Sequence, residues 1–135
     1  EPFCNELREL ILCAGERKGL SLVREGTYVC TNGPRLETKA EIRYFSVVGA
    51  DIVGMTLMPE ASLARELEIC FASISVVTNY AAGISKGKLT TTEVVETMKA
   101  SIQKIGILIK ELITVKREER KGRCLCQEAL KEARM

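Results

Sequence analysis

The sequence predicts an α/β protein. Three observations carry that reading. Apolar residues recur at helical spacing in two places, Leu7, Leu10, Ile11 and Ala14, and then Val94, Met98, Ile102, Ile105, Ile109 and Leu112. Short β-branched runs separate the helical segments. Residues 70–78 form a continuous run of small and β-branched side chains, which suits a strand buried on both faces of a parallel or mixed sheet. Strand and helix signals alternate along the chain, as in layered α/β architectures.

In chain order, Gly19 stops the first helix. Residues 22–25 and 27–31 read as two short strands around Gly26, and Asn32-Gly33-Pro34 supplies turn chemistry. Thr38 and Glu41 have the spacing of a capping box, with Ile42, Phe45 and Val48 on one face of the helix and Gly49 closing it. Residues 51–55 are a short apolar strand. Pro59 suits the first turn of a helix reaching about Glu68. Residues 81–89, with Gly83 and Gly87, read as a loop. Thr90 and Glu93 form a second capping box, and the long apolar stripe follows as a helix laid across the sheet.

With 135 residues, 46% hydrophobic and 28% charged, the chain has the balance of one soluble globular domain. Its apolar runs are far shorter than the ~20 residues that span a bilayer, so no membrane helix is expected. No basic start leads into an apolar stretch, so no secretory leader is expected. A net charge of +2 is too small to point to nucleic acid. The chain contains no His, which removes the commonest general base and most zinc sites. It starts on Glu1 rather than Met, and is expected to be a piece of something longer.

Ligands of open α/β sheets bind outside the carboxyl ends of the strands. Three such ends carry polar residues: Asn32 to Thr38 with Glu37, Met55-Thr56, and Thr78-Asn79-Tyr80. Each has a plain structural explanation. Asn79 serves as a turn residue, Glu37 complements a helix dipole and Thr56 caps a helix. Together they place an amide, a carboxylate and a hydroxyl where a polar pocket would form. Neither a phosphate-loop pattern nor a dinucleotide fingerprint is present.

The segments Glu25-Gly26-Thr27-Tyr28-Val29, Gly33-Pro34-Arg35-Leu36-Glu37-Thr38-Lys39-Ala40-Glu41, Gly49-Ala50-Asp51-Ile52-Val53-Gly54-Met55-Thr56, Pro59-Glu60 and Thr78-Asn79-Tyr80 stand in a telling order and spacing. Over residues 1–115 the chain resembles the carboxyl-terminal half of the trimeric-type purine nucleoside phosphorylases, in the branch with the methylthioadenosine and methylthioinosine phosphorylases. The resemblance implies a mixed sheet closing into a barrel flanked by helices. It implies phosphorolysis of a purine nucleoside to free base and ribose 1-phosphate, with phosphate as co-substrate and no metal, nicotinamide or flavin. Glu37 and Asn79 match the catalytic pair that grips the base; Thr78 and Leu36 line it. Tyr28 and Met55 match ribose contacts, Thr56 a phosphate-binding hydroxyl, and Thr91 and Val95 the wall of the 5′ pocket. Adenine-specific members usually carry Asp at the place of Asn79 and a small hydroxyl residue at that of Glu37. The implied substrates are therefore inosine, guanosine or 5′-methylthioinosine, ahead of methylthioadenosine. Members of the family are about twice as long, and the half not matched here holds most of the phosphate site. One hydroxyl cannot neutralise a phosphate dianion, so the chain alone is expected to be inactive or a non-catalytic nucleoside-binding or oligomerisation fragment. The resemblance also implies homotrimers or hexamers, a cytoplasmic setting and purine salvage.

Residues 116–135 read as a charged tail. Lys116, Arg117, Arg120, Lys121 and Arg123 suit a solvated helix end better than a nucleic-acid patch. The six cysteines read mostly as reduced thiols, with disulfides left open for a thermophilic source. Cys124-Leu125-Cys126 reads as two incidental thiols. Some archaeal phosphorylases of this family carry a similar C-x-C that can form a disulfide. Zinc is disfavoured, because two spaced thiols without His make half a site.

Overall fold

A computed structural model describes residues 2–85, 90–115 and 124–132. The elements run α1 (Asn5–Arg17), β1 (Tyr28–Cys30), α2 (Lys39–Val47), β2 (Ile52–Gly54), α3 (Leu57–Glu66), α4 (Thr91–Thr114) and a 3-10 turn at Cys126–Glu128. The chain divides into two compact units. One comprises Glu1–Leu22, Leu57–Ile74 and Lys104–Met135; the other comprises Val23–Thr56 and Ser75–Gln103.

In the first unit, α1 ends in a tight turn with Gly19 at a φ of +65°, a conformation glycine adopts without steric penalty. Its carboxyl end is tied to α4 by Arg17 and Lys18, which both pair with Glu111. α3 begins at Leu57, so Pro59 falls in the first turn, where its missing N–H has no helical acceptor to lose. The core of this unit is Leu12, Ala14, Leu57, Ala61, Ala64 and Leu108, with Cys4 and Cys126 buried as well. Leu108 is almost wholly buried, which is worth about 2 kcal/mol.

In the second unit, β1 and β2 pair in parallel with Tyr28 opposite Ile52, Val29 opposite Val53 and Cys30 opposite Gly54. The Asp51 carboxylate accepts the Thr27 N–H at 2.7 Å and fixes the entry to this pairing. α2 starts on the predicted capping box: Thr38 Oγ1 accepts the Glu41 N–H, and the Glu41 carboxylate accepts the Thr38 N–H. Gly49, at a φ of +85°, closes it. Thr90 and Glu93 make the second box in the same way.

Four expectations are corrected. Residues 22–25 are not a strand, because among the described residues no neighbouring backbone takes up their hydrogen bonds. Residues 70–78 are not a strand either: among the described residues the Phe71 carbonyl alone takes a backbone partner, the Cys4 N–H, and no ladder forms. A β-branched run becomes a strand only when paired, and the described sheet consists of β1 and β2 alone. α4 does not lie across that sheet: among the described residues, β1 with β2 is the one pair of elements in extended contact. Its packed line is also displaced. Val94, Ile105 and Leu112 are half-buried as expected, but the line passes through Thr97, Ser101 and Leu108, leaving Met98, Ile102 and Ile109 exposed. The apolar arc of α4 is broad enough to hold two adjacent stripes, and spacing alone picked the bulkier one. The loop positions Gly87 and Leu89 and the basic cluster of 116–123 lie outside the described residues.

The cysteines depart furthest from expectation. The sulfurs of Cys4, Cys70, Cys124 and Cys126 converge in the first unit. The Cys126 backbone N–H, hydrogen-bonded to the Cys124 sulfur, holds that thiol below its ordinary range.

Candidate functional site

Because β1 and β2 are parallel, both finish at the same end of the sheet. Thr31 follows β1. Its N–H donates to the Gly54 carbonyl at 2.9 Å, so it prolongs the pairing by one step. Its hydroxyl donates to Glu37 Oε1 at 2.5 Å. A carboxylate is thereby fastened beside the carboxyl ends of both strands, with its other oxygen left to accept. Sequence reasoning missed Thr31. The available signal was a hydroxyl residue directly after a strand and six residues before a candidate carboxylate.

On one face of the sheet, Tyr28 reaches along the strand until its ring covers Gly54. A Cβ on Gly54 would stand 2.7 Å from the ring's Cζ and closer still to the hydroxyl. Met55 continues from β2 and packs its sulfur against Gly33, 2.9 Å from where a Cβ would lie. Tyr28, Glu37 and Met55, three of the predicted residues, thus gather at this strand end with Thr31. Thr56 and Leu36 are exposed beside them in sequence, Leu36 at 71%.

Asn79 sits in an exposed turn. Its Oδ1 accepts the Thr78 hydroxyl at 2.7 Å, and its Nδ2 donates to the Tyr80 carbonyl at 3.0 Å. An amide has two N–H groups and two lone pairs, so one of each remains for a ligand. Among the described residues no hydrogen bond joins Glu37 to Asn79; each is held by a neighbouring hydroxyl instead. Thr91 and Val95, spaced by one turn, share an exposed face at the start of α4.

Arg35, next to this loop, has a different task. Its Nη1 and Nη2 donate to the two Glu41 oxygens at 2.9 and 2.6 Å. The Arg35 hydrogen bonds, together with those from the Thr38 N–H and hydroxyl, lower the Glu41 carboxyl to about 2. In the unfolded chain an ordinary glutamate titrates near 4.3. Ionised Glu41 therefore contributes stability that is complete above about pH 5 and lost as the pH falls towards 2. Thermal melts from pH 7 to 2 should show a steeper acid decline for the wild type than for Glu41→Gln. Parallel declines would refute this assignment.

A sequence profile described as "Phosphorylase superfamily" matches residues 1–114. The "Probable S-methyl-5'-thioinosine phosphorylase" of Thermodesulfovibrio yellowstonii is 58% identical over 98% of this chain and 49% of its own length. The 6-oxopurine nucleoside phosphorylase of Pyrococcus furiosus is 52% identical over the same shares. Among solved structures, a double mutant of the Schistosoma mansoni adenosine/methylthioadenosine phosphorylase in complex with adenine superimposes with a TM-score of 0.79 at 31% identity, covering 84% of this chain and 46% of that one. The chain spans about half the length of the curated relatives it matches. With the match running over most of its residues and the fold shared with a solved relative, the chain belongs to the phosphorylase superfamily.

Proposed function

We propose that this chain is the base- and ribose-gripping half of an enzyme that cleaves 6-oxopurine nucleosides, namely inosine, guanosine or 5′-methylthioinosine, with phosphate. The observation that carries the reading is the Glu37 carboxylate, held by the Thr31 hydroxyl at the joint end of two parallel strands. Phosphate attacks the anomeric carbon of the sugar. The bond to the purine breaks, its electron pair passes to the base, and a ribose 1-phosphate remains. No protein nucleophile takes part, so the work is electrostatic. Glu37 accepts the N1–H of hypoxanthine or guanine, and Asn79 donates to N7 or O6 as charge collects on the base. Adenine presents a lone pair at N1 and meets repulsion from the same carboxylate. That chemistry ranks methylthioadenosine below the 6-oxopurine substrates, although relatives named for it exist. Thr78 and Leu36 border the base, Tyr28 and Met55 the ribose, Thr91 and Val95 the 5′ group, and Thr56 the phosphate.

The same reading puts the enzyme in purine salvage in the cytoplasm, as a homotrimer or hexamer whose reaction uses neither a catalytic metal nor an organic cofactor, and whose partners include neither nucleic acid nor membrane. Among the described residues no helix is long and apolar enough to cross a membrane. The decisive experiment replaces the matching residues of the P. furiosus protein with this chain and measures hypoxanthine release from inosine and phosphate. The chimera should be active and this chain alone inactive. A folded chimera that leaves inosine intact would support the rival reading, a non-catalytic nucleoside-binding or oligomerisation module.

A further inference from the structure

The four sulfurs of Cys4, Cys70, Cys124 and Cys126 all lie within 4.8 Å of one another. The Cys70 and Cys124 sulfurs are 3.4 Å apart, and all four are free thiols. Two disulfides would require only two close pairs. Mutual proximity of all four is a further condition, and one central ion explains it. A tetrahedral zinc with bonds of about 2.3 Å sets its sulfurs about 3.8 Å apart, within the observed limit. We propose that these four cysteines form a structural tetrathiolate zinc site that fastens the start of α1 and residues 124–126 to the segment after α3.

The surroundings fit that assignment. The ligands come from three segments, each pinned by its backbone. The Cys4 N–H donates to the Phe71 carbonyl at 2.7 Å, which brings the start of α1 against the neighbour of Cys70. Phe3 stacks on Phe71 with ring centroids 6.0 Å apart. The Cys124 N–H donates to Glu6 at 3.3 Å, and the Leu130 N–H to Glu68 at 3.1 Å. The Cys4 sulfur also accepts the Leu7 N–H at 3.4 Å, the kind of backbone hydrogen bond that supports a metal-bound thiolate. Cys4 and Cys126 are buried. An open hollow of about 460 Å³ beside the cluster is lined by Arg65 as well as Glu6, which places a cation near a site carrying a net charge of −2. Four protein sulfurs leave zinc no open position, so the role is structural. Each thiol gives up its proton as the ion binds, and no oxidant or reductant is involved. Cys13 and Cys30 lie outside the cluster and serve as controls.

The full chain, purified under reducing conditions without chelator from zinc-supplemented medium, should hold about one zinc per chain. Replacing zinc by cobalt(II) should give the intense visible absorption of a tetrahedral thiolate complex. Cys13→Ser should keep that absorption and Cys124→Ser should lose it. Should Cys124→Ser fail to fold, cobalt titration of the unaltered chain decides alone. The absence of both stoichiometric zinc and the tetrahedral spectrum overturns the proposal. So does a mass under the same conditions that has lost two hydrogens for every disulfide formed among these cysteines.

Discussion

In the active chimera, Glu37→Ser combined with Asn79→Asp is expected to reverse the order of substrates, so that adenosine is cleaved faster than inosine. The reason lies in the two edges of the base. Glu37 accepts a proton that only a 6-oxopurine carries at N1, and a serine removes both that acceptor and the charge that repels adenine. Aspartate at position 79 exchanges a fixed donor for an acceptor suited to the exocyclic amine of adenine. Hydrogen bonds that involve a charged group are worth about 1.5–3 kcal/mol each. Losing both base contacts should therefore lower kcat/KM for inosine by roughly 10² to 10⁴-fold. Steady-state kinetics with inosine, guanosine and adenosine measures the ratio. A double variant that still prefers inosine would remove these two side chains from base recognition while leaving the family assignment untouched.

What could be read from the chain alone divides by the range of the interaction. Thr38 with Glu41 and Thr90 with Glu93 are partners three residues apart, and both boxes are present at their helix starts. The stops at Gly19 and Gly49 are local as well, and both glycines have positive φ. Residues 70–78 carry strand-forming side chains, yet a strand also needs a neighbour, and local sequence does not say whether one is there. The face of α4 failed for a related reason: Met98 and Ile102 are as apolar as any core residue, and only packing decides that Thr97 and Ser101 turn inward. At the candidate site, Glu37 was legible as a polar residue after a strand, but the hydroxyl that aims it was not, since a threonine after a strand is commonplace. The cysteine cluster was hidden most deeply. Cys70 and Cys124 are separated by 54 positions, and no spacing rule joins residues so far apart.

Gly54→Ala offers a test of the sheet itself. The added methyl would collide with the Tyr28 hydroxyl and ring, so the tyrosine side chain must shift away from Gly54. Overpacking of this kind costs about 1–3 kcal/mol. The loss should depend on Tyr28. In a Tyr28→Ala background there is no ring to displace, so Gly54→Ala should be nearly neutral, apart from the modest backbone effect of replacing glycine. A double-mutant cycle by urea unfolding should give a coupling of at least about 1 kcal/mol. Equal losses in both backgrounds would show that the ring does not rest on Gly54. The same cycle reaches function through the chimera. If Tyr28 contacts ribose from this position, Gly54→Ala should raise the KM for inosine by displacing the ring, even though position 54 carries no polar side chain. A raised KM in Gly54→Ala that is absent when Gly54→Ala is added to Tyr28→Ala would tie the ribose contact to the close packing of one tyrosine over one glycine.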